Sequence, residues 1–98
     1  MKLLRKDAAN DMVRKVEIIN RLGIHARPAS MFVKKAQEFS AEITVEKDKM
    51  KVDAKSIMGL LTLEGYMGAV LTLRAAGEDA RQALDALEEL VKNKFYED

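Results

Sequence analysis

Cysteine and tryptophan are absent from this chain of 98 residues, and histidine and proline occur once each. Without cysteine there is no disulfide framework and no thiolate chemistry, and one histidine leaves too few soft ligands for a zinc site. A surplus of one charge is lacking as well. Seventeen basic residues face sixteen acidic ones, a net charge of +1, which removes the electrostatic case for a nucleic-acid partner. No apolar run is long enough to cross a membrane, so direct membrane insertion is not expected. In Met1-Lys2-Leu3-Leu4-Arg5-Lys6 the apolar run is two residues long, which does not read as a secretory signal. Internal repeats and low-complexity tracts are missing too. These absences suit a single small domain in a reducing cytoplasm.

What is present converges on the lone histidine. His25 sits in Asn-Arg-Leu-Gly-Ile-His-Ala-Arg-Pro-Ala-Ser, residues 20 to 30, where a strand-like stretch rich in β-branched residues, Val13 to Ile19, gives way to helical spacing at Ala29, Phe32, Val33 and Ala36. A helix therefore starts at or just after His25. Pro28 agrees, because in a first helical turn its missing amide hydrogen would have had no carbonyl partner. The free amides of Ala26 and Arg27 then face an anion that the helix dipole favours, and the Arg27 guanidinium adds a forked donor suited to phosphate. An imidazole beside such donors is a nucleophile with a phosphate cradle.

This string resembles the active-site signature of HPr, the histidine phosphocarrier family of the bacterial sugar phosphotransferase system. Lys55-Ser56-Ile57-Met58-Gly59-Leu60 is similar to the same family's regulatory serine segment, at an ungapped spacing from His25. The resemblance runs from about Val13 to the C-terminus. It implies a phosphocarrier rather than an enzyme with turnover, with no cofactor. His25 would be the phosphoryl acceptor, modified on the ring nitrogen nearest the backbone, with the Ala26 amide and Arg27 steadying the phosphate. Enzyme I would be the donor and enzyme II A-type domains the acceptors. An HPr kinase/phosphorylase acting on Ser56 and a transcriptional regulator would be further partners.

The remaining pattern predicts an α+β open-faced sandwich in the order β-α-β-β-α-β-α, a four-stranded antiparallel sheet with three helices on one face and the other face wet. Glu42 to Glu46 alternates as a half-buried strand, and Met50 with Val52 follows after a Lys47-Asp48-Lys49 turn, where Asp48 or Lys49 has to accept a positive φ. Ser56 is expected to cap a short helix running to about Leu63. Gly65 and Gly68 bracket the next loop, and Glu64 stands where the family commonly has glycine, so the helix exit is expected to differ in shape. Val70, Leu71, Leu73 and Ala75 form the last strand. Asp79 with Gln82 resembles a capping box ahead of an apolar stripe of Ala80, Ala83, Leu84, Leu87, Leu90 and Val91. Residues 1 to 12 are expected to be a frayed extension before an HPr-like domain spanning 13 to 98.

Five apolar residues, Ile57, Met58, Leu60, Leu61 and Leu63, are too many for one face of an eight-residue helix. Leu60 and Leu63 are expected in the core. The resemblance makes Ile57 and Met58, with Leu61, a docking patch for enzyme I and permease domains, extended along the first helix by Met31, Lys34 and Gln37. A shuttle of this kind is expected as a monomer with small interfaces. Within the family, Asn20-Arg21-Leu22-Gly23 and the ending Phe95-Tyr96-Glu97-Asp98 are similar to the nitrogen-branch paralogue, whereas the Ser56 segment is more like sugar-branch proteins. A binding module of the same fold without transfer chemistry is the third reading.

Overall fold

The computed structural model describes residues 11–97. Its elements follow the expected order: β1 (Asp11–Glu17), α1 (Ala26–Ala36), β2 (Glu42–Lys47), β3 (Met50–Asp53), α2 (Ile57–Thr62), β4 (Val70–Ala76) and α3 (Ala80–Lys92), followed by a single turn at Lys94–Tyr96. The sheet is antiparallel throughout, in the order β1-β4-β2-β3. On β4, Leu71, Leu73 and Ala75 point into the core, while Val70 is exposed and Thr72 and Arg74 are half-buried. That period of two places the helices on one face and leaves the other to solvent.

The core lies between this face and the two longer helices. Phe32 and Ala36 of α1 and Leu84 and Leu87 of α3 are fully buried against Ile43, Val45, Leu71 and Leu73. Burying one such leucine stabilises the fold by about 1.5–3 kcal/mol, so the stripe predicted for α3 is core along its whole length. Among the described residues no helix is long and apolar enough to cross a membrane. The same residues contain no group of three histidine, cysteine or acidic side chains placed to hold a metal.

Three local expectations are corrected or sharpened. β1 begins at Asp11 and pairs Asp11 with Ala76 and Met12 with Ala75, so the sheet claims two residues assigned to the extension. What was expected for residues 1–10 lies outside the described residues. Asp79 is the N-cap of α3 but makes no capping hydrogen bond within it, so the capping box does not form. Its carboxylate instead accepts from the Ser40 and Ala41 amides, each at 2.9 Å, and from the Ser40 hydroxyl. The two amide bonds come from a tight bend that needs acceptors more than α3 does, and they hold the Asp79 carboxyl below the usual aspartate range.

The third point concerns backbone sign. Asp48 takes the positive φ of the β2–β3 turn, at 56°, and Glu64 takes one at the exit of α2, at 57°. Both are uncommon positions for a side chain other than glycine or asparagine. Gly23 is different, because its φ is 68° and an added Cβ would lie 2.5 Å from the Gly65 oxygen. Close approach at Gly23 lets the Ile24 amide donate to that oxygen at 2.8 Å, which ties the loop before α1 to the loop after α2. This tie fixes the entry to the histidine.

Candidate functional site

His25 is the N-cap residue of α1, with extended backbone (φ −103°, ψ −168°), and its side chain makes no capping bond to the helix. The Ala26 and Arg27 amides that open α1 therefore receive no capping bond from the His25 side chain. Pro28 is buried in the first turn, and Ala29 donates to the His25 carbonyl at 2.9 Å. No acidic side chain lies in that turn to compete for the positive helix end.

The competing carboxylate comes from the other end of the chain. Glu97 lies with Oε1 3.2 Å and Oε2 3.3 Å from His25 Nε2. Oε2 also accepts from Arg27 at 3.1 Å, and Oε1 from the Asn20 amide at 3.0 Å. Asn20 is fully buried and donates as well to the Gly23 carbonyl at 2.8 Å, so one amide joins the loop before His25 to the tail. The Asn20 hydrogen bond, followed by those of His25 and the charge of Arg27, holds the Glu97 carboxyl below the usual glutamate range, against the opposing effect of partial burial. The His25 and Arg27 side chains remain 39% and 54% exposed, so the pair stays open to a partner protein. His25 Nδ1, the nitrogen nearer the backbone, has no hydrogen-bond partner among the described residues.

The tail reaches the site through backbone that L-residues seldom adopt. Lys94, Tyr96 and, between them, Phe95 have φ of 54°, 58° and 55°. Three left-handed residues in a row cost about 1–2 kcal/mol each. Burial of Phe95, which is fully enclosed, and a bond from Arg27 to its carbonyl at 3.3 Å offset that strain. The turn itself is closed by Tyr96 N–H to Asn93 O at 2.8 Å and Glu97 N–H to Lys94 O at 3.0 Å. Asn20 and Glu97 are the site residues that sequence reasoning missed. The signal for Glu97 was weak: an aromatic residue and an acid following the helix end at Lys92, in a chain whose histidine and arginine lacked a counter-ion nearby.

At α2 the expectations hold more simply. Ser56 Oγ accepts from the Gly59 amide at 3.0 Å, which is the N-cap predicted. Ile57 and Met58 are exposed, Met58 at 71%, while Leu60 and Leu63 are buried and Leu61 is half-buried against the core. On α1, Met31 is half-buried and Lys34 and Gln37 are exposed. Met31 and Lys34 line a groove between α1 and α3 that Leu90 and the tail's Tyr96 also border. Ser56, Ile57 and Met58 start a different helix, α2, which packs against α1.

Comparisons with known proteins agree with this fold. The family model for the PTS HPr component phosphorylation site matches residues 12–93. The chain is 41% identical to the phosphocarrier protein HPr of Treponema pallidum over 89% of its own length and 99% of that protein. It is 49% identical to the phosphocarrier protein NPr of Shewanella violacea, covering 86% of this chain and 92% of that one. It is 44% identical to the HPr-like protein Crh of Bacillus subtilis, over 83% and 95%. The crystal structure of HPr from Thermoanaerobacter tengcongensis superposes with a TM-score of 0.86 at 47% identity, covering 89% of this chain and 98% of that one.

Proposed function

The chain belongs to the HPr family of phosphocarrier proteins, and from that premise we propose that His25 accepts a phosphoryl group from phospho-enzyme I and passes it to enzyme II A-type domains in sugar uptake. The observation that carries this reading is the open start of α1, where an imidazole with a free Nδ1 stands beside Arg27 and uncapped helix amides. A phosphocarrier does not turn over a substrate; it holds the group between two partners. Its work is positioning and charge stabilisation, and a neutral imidazole needs no general base to attack phosphorus. Arg27 would move part of its bonding from Glu97 to the phosphoryl oxygens, and the Ala26 amide would add a second donor.

Ile57 and Met58 are the surface on which enzyme I and the A-type domains dock, with Leu61 beneath them and Met31, Lys34 and Gln37 at the edge. The exposed thioether of Met58 suits a surface that must fit several partners. Ser56 is a regulatory phosphosite for an HPr kinase/phosphorylase, and its phosphate would stand next to that patch. The protein works in the cytoplasm as a monomer, since each partner must be released. Incubation with enzyme I and labelled phosphoenolpyruvate should give one acid-labile, alkali-stable phosphate per chain. No labelling under conditions that label a known HPr overturns the reading.

A nitrogen-branch role is the second reading, favoured by the 49% identity to an NPr. Competition between the enzyme I proteins of the two branches decides it. Faster transfer from the nitrogen-branch donor would replace sugar uptake by regulation without disturbing the role of His25.

A further inference from the structure

Glu97 is the most heavily engaged side chain at the site. Four donor contacts converge on its carboxylate, from Asn20, from Arg27 and from His25 Nε2 to each oxygen. The side chain is only 19% exposed, and it follows directly on the strained turn at Lys94–Tyr96. A residue held this firmly determines which nitrogen of the ring carries the proton. When Nε2 donates to a carboxylate, Nδ1 keeps its lone pair and faces outward.

We propose that Glu97 is a positioning residue for phosphoryl transfer: it holds the proton on His25 Nε2, so that Nδ1 is the nucleophile, and it balances the positive charge the ring acquires on phosphorylation. The inference rests on His25 being the acceptor. In the step itself the Nδ1 lone pair forms the new bond to phosphorus. The bond from phosphorus to the donor's imidazole nitrogen breaks, and its electron pair returns to that ring. The Nε2 proton of His25 stays in place, so the product ring is a cation bearing a phosphoryl dianion. The Glu97 carboxylate faces the first charge and Arg27 is available to the second. This division resembles the way a carboxylate steadies an imidazolium in acyl transfer, with phosphorus in place of carbon.

The test uses Glu97→Gln, Glu97→Asp and Glu97→Ala beside His25→Ala in the full chain, with enzyme I and phosphoenolpyruvate. Melting curves monitor the fold, and nitrogen-15 spectra of the ring report the Nε2 proton. Glutamine fills the same space without charge, and should slow phosphorylation about fivefold, the size of one partly exposed charge pair, with a cooperative melting transition retained. Aspartate should recover part of that loss if its shorter carboxylate still reaches the ring. In wild type the Nε2 proton should be protected and visible; in Glu97→Ala it should be lost to exchange with water.

Wild-type rates in Glu97→Gln and Glu97→Ala, or slower rates with an unchanged ring signal, overturn the proposal. The second result would mean that the tail acts on docking and not through the imidazole. Phosphate on His25→Ala would overturn the acceptor reading instead, and the ring spectra would still report whether Glu97 holds the proton.

Discussion

Two helix starts in this protein carry the two side chains proposed above as phosphorylation sites, and they are finished in opposite ways. α2 begins at Ser56, whose own hydroxyl takes the Gly59 amide, so the start is satisfied from within. α1 begins at His25, whose side chain caps nothing, so its amides wait for an anion and its ring is held from outside by Glu97. A self-capped start contributes to stability. An uncapped start gives up that stability for a site.

The sharpest break of this comparison exchanges the two side chains for alanine. His25→Ala should abolish acid-labile phosphate while the fold is kept, because no helix bond depends on the imidazole. Ser56→Ala should leave transfer near wild type and cost about 1 kcal/mol of stability through the lost cap. Transfer labelling and a denaturant melt on the two proteins check both. Loss of transfer in Ser56→Ala would show that the two starts are not independent.

Arg27→Ala comes next. It removes a charge-assisted donor worth about 1.5–3 kcal/mol, so transfer should fall roughly tenfold to a hundredfold with the protein still folded. The same change frees Glu97 of one partner and exposes the Phe95 carbonyl, and a small loss of tail order should accompany it. Unchanged transfer would make Arg27 a holder of the tail only.

At the other start, Ser56→Asp should slow phosphorylation of His25 by about tenfold, equivalent to ~1.4 kcal/mol of barrier, by placing charge beside Ile57 and Met58 where an apolar partner docks. Met58→Glu should weaken enzyme I binding in the same direction. Its melting temperature should hardly move, since a side chain 71% exposed gives up little by gaining charge. A drop of about ten degrees or more would mean that Met58 is needed by the core.

Periodic segments were legible because their signal is local. The alternation of β4 and the stripe of α3 are written in consecutive residues, and the cap at Ser56 needs nothing beyond Gly59. Asp79 was misread for the converse reason. Locally it heads a capping box with Gln82, but its carboxylate is claimed by Ser40 and Ala41, 39 and 38 positions away. Glu97 was harder still, lying 72 positions from His25 and reached by three left-handed residues none of which is glycine. No local propensity predicts that turn; only the burial of Phe95 and the contacts at Asn20, His25 and Arg27 sustain it. His25 itself was legible because its neighbours Arg27 and Pro28 share its helix start.

The smallest expected effect separates the Asp79 and Glu97 carboxylates by pH. Both Asp79 and Glu97 titrate lower in the fold than in the unfolded chain, Asp79 chiefly through the Ser40 amide and Glu97 chiefly through Asn20. Between its folded and unfolded pKa such a group binds more protons when unfolded, so its stabilisation is present above the unfolded value and is lost as pH falls through the folded one. Melting temperature should therefore decline between about pH 5 and pH 2, and Asp79→Asn and Glu97→Gln should each flatten that decline. The two differ in what else changes. Asp79→Asn acts at the bend before β2, far along the chain from the tail, and should leave the His25 ring spectrum as in wild type. Glu97→Gln should flatten the acid limb and alter the ring spectrum together. A ring spectrum that responds to Asp79→Asn would show that the bend and the histidine are coupled, and that the open helix start depends on more than its own tail.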